Sequence, residues 1–399
     1  MTADRKNNYR KTVLACYLGI ITQAISANFA PLLFLTFRGT FGLSLEQVAL
    51  IPTLFFFTQL VVDLISAKFV DRIGYRPCIL ASEVFSAVGM IGLAFLPFLL
   101  ADAFAGILIC VVIYAIGSGL IEVLVSPIME ACPTENKEGA MSLMHSFYCW
   151  GVVGTILGST LFFSAFGIES WRVLACLWSL VSITGFCFFA VCPIGYTVEA
   201  EKSLSIGQLL RKPLFWLLCL LMVCSGAAEL SMAQWASAFT ESALRVSKTV
   251  GDLAGPCLFA ILMGLSRVLY SKLSARADLT RFMLYSTGLC VACYLLASLS
   301  ASPVLGLVGC ALCGFSVGIM WPGTISTAAQ VCPTGGTAMF ALLALAGDLG
   351  GSLGPSVVGT VSAAAGDNLQ SGLLAAIVFP VLLIAGLIRV RHRIGTGGK

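Results

Sequence analysis

The chain has 399 residues, of which 58% are hydrophobic and 11% charged, and its mean hydropathy is +0.97. So apolar a composition excludes a soluble globular domain, and a formal net charge of +4 gives no reason to expect nucleic acid as a partner. The apolar residues come in runs of about 18 or more, long enough to cross a bilayer as helices.

Twelve such spans are expected, at about 13–36, 46–66, 78–100, 104–128, 140–165, 171–193, 214–240, 250–271, 280–300, 303–328, 337–363 and 370–390. Lys and Arg set the orientation. All but Arg38, Arg172, Arg245 and Lys248 fall on one side, and Arg267, Lys272, Arg276 and Arg281 are counted there as one inner group. Both termini are therefore expected in the cytoplasm. The first apolar run is too long for a cleaved signal peptide, and no Asn-X-Ser/Thr sequon occurs, so a bacterial inner membrane is the expected home. The 16 cysteines lie in spans or at their inner ends, which argues against a disulfide framework.

Span one carries Gln23, Ser26 and Asn28, polar groups that need partners in hydrocarbon. Span two ends in AKFVDRIGYRP, residues 67–77, with Asp71, Arg72, Gly74 and Arg76. A worn copy, with Arg276 matching Arg72, follows span eight. Asp63 and Glu83, near the same ends of spans two and three, are expected to pair with nearby cations. Span four holds Ser118, Glu122 and Ser126 as one polar stripe at four-residue spacing. Glu122 lies about ten residues, or roughly 15 Å, from the following turn, near the bilayer midplane. His145 in span five is a candidate proton relay, or equally a packed neutral histidine.

The segment from Gly117 to Gly158 is used twice: Cys132-Pro133-Thr134 recurs as Cys332-Pro333-Thr334, and the ladder Gly151, Gly154, Gly158 recurs as Gly347, Gly350, Gly354. Such ladders let helix backbones approach closely in a membrane. A duplicated membrane half with an intramembrane acid points to a solute transporter. Residues 1–195 are read as the first six-helix half, 196–213 as a cytoplasmic linker with a short surface helix, and 214–399 as the second half. In span seven, Glu229 and Gln234 point about 140° apart on a regular helix. They share a cavity only if the helix unwinds, for which Ser225-Gly226 is the candidate place. Trp235 is either a sugar-stacking ring or an interfacial anchor. Trp321 precedes Pro322 in span ten, and Asp348 lies in the second ladder. Cys290, Cys293, Cys310 and Cys313 have a zinc-like spacing in apolar surroundings; no metal and no cofactor is expected.

The loop signature, with Ala67 in place of the usual leading glycine, resembles that of the major facilitator superfamily. Glu122-x-x-x-Ser126-Pro127 and Gly226-Ala227-Ala228-Glu229 resemble the fucose/glucose/galactose symporter group within it, with Ser126 where that group has Asn. The resemblance implies an all-α membrane protein with twelve transmembrane helices in two pseudo-symmetric halves that rock about a bound solute, and no enzyme. It implies gating by Asp71, Arg72, Gly74, Arg76 and Arg276, and proton coupling by Glu122 with His145. It places Gln23, Asn28, Glu122, Glu229, Gln234, Trp235 and Trp321 as solute contacts. The expected function is proton-coupled transport of a small polar solute, a sugar first, by a monomer in the lipid bilayer. A drug or metabolite efflux antiporter and a polytopic membrane enzyme remain the alternatives.

Overall fold

A computed structural model describes residues 3–43, 45–196, 203–244, 253–366 and 368–396. Every regular element among them is helical. Among the described residues, twelve helices are long and apolar enough to cross a membrane: α1 Tyr9–Leu32, α2 Leu50–Ile73, α3 Tyr75–Leu99, α4 Ala103–Ala131, α5 Lys137–Phe166, α6 Ile168–Val191, α7 Pro213–Ala236, α8 Gly255–Leu273, α9 Leu279–Leu299, α10 Pro303–Val331, α11 Gly336–Ala364 and α12 Leu369–His392. They stand where the apolar runs put them. The expected linker helix is Ile206–Leu210, opened by a capping box in which Ser205 and Gln208 satisfy each other's backbone groups.

The chain forms two compact units. Unit 1 is Met1–Thr134, Trp150–Ser203 and Gly336–Ala341; unit 2 is Glu135–Cys149, Leu204–Gly335 and Leu342–Lys399. The first turns of α5 thus cluster with the second sequence half, and the first residues of α11 with the first.

Within unit 1, α3 and α4 pack backbone to backbone. A Cβ added at Gly89 would lie 2.6 Å from Tyr114 N, and one at Gly117 2.5 Å from Ser82 O. Beside this seam an aromatic core gathers Phe29, Phe37, Phe55, Tyr114 and Trp171, all buried. Among the described residues Glu83 has no hydrogen-bonded cation: it is 1% exposed, its carboxyl wedged against Gly185, where an added Cβ would lie 2.5 Å from Oε1.

Unit 2 uses its glycine ladder fully. Added Cβ atoms at Gly350 and Gly354 would meet Val223 O at 2.0 Å and Ala227 O at 2.5 Å, and Gly226 closes on Gly347 O from the α7 side. α7 is consequently a regular helix through Ser225-Gly226, within the longer helix Pro213–Leu244. The unwinding considered from the sequence does not occur, because Gly226 serves close packing against α11. α10, by contrast, is interrupted at Gly318–Ile319 between Pro303–Val317 and Met320–Val331.

Candidate functional site

In unit 1 the polar centre is Glu122. Gly19 lets α1 approach α4 near Val125 (3.4 Å from an added Cβ), and Gly119 lets α2 approach with Gln59 Cα 3.4 Å away. Gln23 Nε2, one turn on from Gly19, and Gln59 Nε2, at the Gly119 contact itself, both donate to Glu122 Oε2, each at 2.9 Å. Gln59 is 4% exposed. Three helices thus converge two amides on one carboxylate oxygen. Asn28 is not part of this cluster; its amide donates to Ala24 O in its own helix at 2.8 Å.

In unit 2 the polar centre is an ion pair. Arg267 Nη2 lies 3.4 Å from Glu229 Oε2, with side-chain exposures of 4% and 14%. Counting Arg267 with the inner loop group is therefore incorrect: it is buried inside α8, six residues before that helix ends. Its Nε donates to Gly318 O at 2.7 Å, and its Nη1 to His145 O at 2.8 Å and toward Cys149 Sγ at 3.3 Å. Pro322 has no N–H to give the carbonyl four residues before it, so Gly318 O needs an outside donor, and Arg267 is that donor. His145 is 8% exposed and contributes its backbone carbonyl to this hub.

The Trp321 ring packs against Gly347, where an added Cβ would come within 2.2 Å of it. Trp235 packs at Gly359 and donates its Nε1 to Pro355 O at 3.2 Å. Gln234 is exposed, on a different face of regular α7 from Glu229. Cys290 and Cys313 approach to 4.0 Å between their sulfurs. Among the described residues no group of three or more His, Cys, Asp or Glu could hold a metal ion.

The loop residues divide. Asp71 accepts a short hydrogen bond from Thr337 Oγ1 at the start of α11, and Tyr75 OH pairs with the same hydroxyl at 2.6 Å. Gly74 starts α3 with φ 98°, a conformation open to glycine. Arg76 caps α6, donating to Phe189 O, Ala190 O and Cys192 O at 2.7–2.8 Å. Arg72 and Arg276 are exposed. At the second copy of the loop the acid comes from α5 instead. Glu138 accepts from Tyr270 OH and Gln330 Nε2, and Asn136 Nδ2 donates to Ser274 Oγ at 2.6 Å.

The sequence reading missed Gln59, Arg267, Tyr75, Thr337, Glu138 and Tyr270. A lone amide or guanidinium inside an apolar run was the available signal for the first two; nothing local marks the others.

Twelve membrane-crossing helices with these buried polar centres define an integral membrane transporter. The chain belongs to the Major Facilitator Superfamily, whose family model matches residues 15–355. Solved structures of similar fold include the E. coli fucose:proton symporter FucP, at 15% identity, 96% of this chain and 99% of that one, and TM-score 0.77. The proton:xylose symporter XylE bound to 6-bromo-6-deoxy-D-glucose matches at 10% identity, 96% and 95%, and 0.80. The human organic anion transporter MFSD10 matches at 16% identity, 96% and 99%, and 0.72. At such identities the likeness is one of fold. No curated protein sequence matches the chain significantly.

Proposed function

We propose that the protein is a proton-coupled transporter of a small neutral polar solute, a monosaccharide first, working by alternating access with both termini in the cytoplasm of a bacterial inner membrane. The observation that carries the reading is the convergence of Gln23 and Gln59 on Glu122 Oε2. Both amides act as donors to one oxygen. Protonation of the carboxyl need not break either bond, because a carbonyl-type oxygen of the acid is still an acceptor for the amides. The two amide bonds are thus compatible with both the charged and the protonated carboxyl. Neutral amides beside a carboxylate are also the groups that bind hydroxyls. Within unit 2 by itself, Glu229, Arg267 and the Trp321 ring are an acceptor, a donor and an aromatic surface, the usual complement for a sugar. The fold neighbours FucP and XylE, proton symporters of fucose and xylose by name, agree with this choice.

The test is made in two steps. Purified protein is screened by thermal shift against neutral hexoses and pentoses and against lipophilic cations. Proteoliposomes then measure accumulation of the best sugar under an imposed pH gradient, and its counterflow without one. Glu122→Gln imitates the protonated acid, so accumulation should vanish and counterflow persist. Concentrative uptake by that variant would move the proton site elsewhere. A shift with lipophilic cations alone would replace the sugar reading by efflux.

A further inference from the structure

Arg267 makes more bonds than any ion pair requires. Its guanidinium joins four elements of unit 2: α7 through Glu229, α10 through Gly318 O, and the first turns of α5 through His145 O and Cys149 Sγ, all from α8. The α8–α10 seam is built to bring it there. An added Cβ at Gly314 would lie 2.3 Å from Phe259 O, and one at Gly318 2.8 Å from Met263 O. α5 returns the contact: Ser142 Oγ donates to the Arg267 carbonyl at 2.8 Å. Cys149 is the last α5 residue that clusters with unit 2; from Trp150 the helix belongs to unit 1. The hub therefore grips α5 where the helix passes out of unit 2.

We propose that Arg267 is a positioning residue for transport, a latch that holds the first turns of α5 for as long as Glu229 presents a negative charge. A guanidinium only 4% exposed and deprived of its carboxylate is an uncompensated charge in low dielectric. Its relief is to turn toward water, and the planar fork cannot do so and still reach His145 O and Gly318 O. Removing the charge of Glu229 thus frees α5. The titratable and charged groups at the hub are Glu229 from α7, Arg267 from α8, and His145 and Cys149 from α5. The proposal rests on the reading of Glu229 as a functional acid, which the test separates from the latch itself.

Cys149 is a native reporter, 0% exposed while the latch is closed. Its alkylation by N-ethylmaleimide is followed by peptide mass spectrometry on the full-length protein in nanodiscs, without solute. Cys310, also 0% exposed and lying in α10, reports general loosening. Glu229→Gln carries the test, because it keeps side-chain shape; Arg267→Met removes several bonds at once and is made alongside it. Cys149 should react about tenfold faster in Glu229→Gln, equivalent to about 1.4 kcal/mol of lost latching, with Cys310 unchanged. The double variant should be no faster than Arg267→Met alone, since both act on one contact. Arg267→Lys keeps the charge without the fork and should fall between. Unchanged Cys149 reactivity in Glu229→Gln overturns the latch, and so does a parallel rise at Cys310. Thermal shift of Glu229→Gln with the sugar panel then tests the other reading. A kept sugar response with fast Cys149 removes Glu229 from the solute site and leaves the latch standing. A lost response with slow Cys149 does the reverse.

Discussion

Glu122 and Glu229 are the same side chain in two chemical settings. Two neutral amides hold the first, and a guanidinium holds the second. An amide donor can bond to either charge state of a carboxyl, whereas an ion pair opposes neutralisation because the partner cation would be stranded. That difference is the ground on which Glu122, and not Glu229, is proposed as the proton carrier. Gln59 should then matter as much as Gln23. A hydrogen bond to a charged group contributes about 1.5–3 kcal/mol, so Gln59→Leu should weaken binding of the sugar probe by roughly ten- to a hundredfold. Isothermal titration against the wild type checks this; a lower melting temperature with unaltered affinity would reduce Gln59 to a packing role. The sequence made Glu122 and Gln23 legible because each is polar at a depth where polarity is costly. Gln59 sits in FFFTQLVVD with the same isolation and was open to the same argument. Arg267 was lost to the counting of cations, which treats any Lys or Arg near a span end as loop. Its apolar neighbours in LSRVLY were the better guide.

At the scale of helices, spacing shows where a smooth face lies and not what it meets. The two glycine ladders are identical in spacing, but only the second is occupied along its length. Gly154 has nothing within 4 Å of an added Cβ, whereas Gly350 would strike Val223 O at 2.0 Å. Gly350→Val should therefore cost more than the 1–3 kcal/mol typical of overpacking, since backbone cannot yield. Gly154→Ala should be neutral or stabilising by up to about 1 kcal/mol through helix propensity. Melting temperatures in one detergent rank the two, and equal losses would contradict the packing described. The same closeness of α7 and α11 keeps α7 regular, which sends Gln234 away from Glu229. Gln234→Ala should accordingly leave sugar affinity unchanged while Glu229→Ala weakens it. This consequence could not be read from the chain, because Ser225-Gly226 suits a break and a tight contact equally well.

The largest scale is that of α5 and α11, each of which begins in one unit and continues in the other. Their first turns carry matched contacts. Thr337 of α11 meets Asp71 and Tyr75, and Glu138 of α5 meets Tyr270 and Gln330. The duplication seen in the sequence is thus repeated in the contacts, although the second copy of the loop lacks the acid and α5 supplies it instead. If these contacts hold one state of a transport cycle, breaking one should slow the cycle without removing the solute site. Asp71→Asn and Thr337→Val distinguish charge from bond. The Asn carbonyl still accepts from Thr337, but as a neutral group, and the bond falls from about 1.5–3 to about 0.5–1.5 kcal/mol. Val at 337 abolishes it and removes the hydrogen bond between Tyr75 and that hydroxyl as well. Uptake into proteoliposomes should therefore fall in both variants and further in Thr337→Val, with equilibrium sugar binding retained in each. The reverse order, with Asp71→Asn the more damaged, would show that the charge of Asp71 acts on something other than Thr337. Wild-type uptake by Thr337→Val would mean that the contact at the start of α11 has no part in the rate.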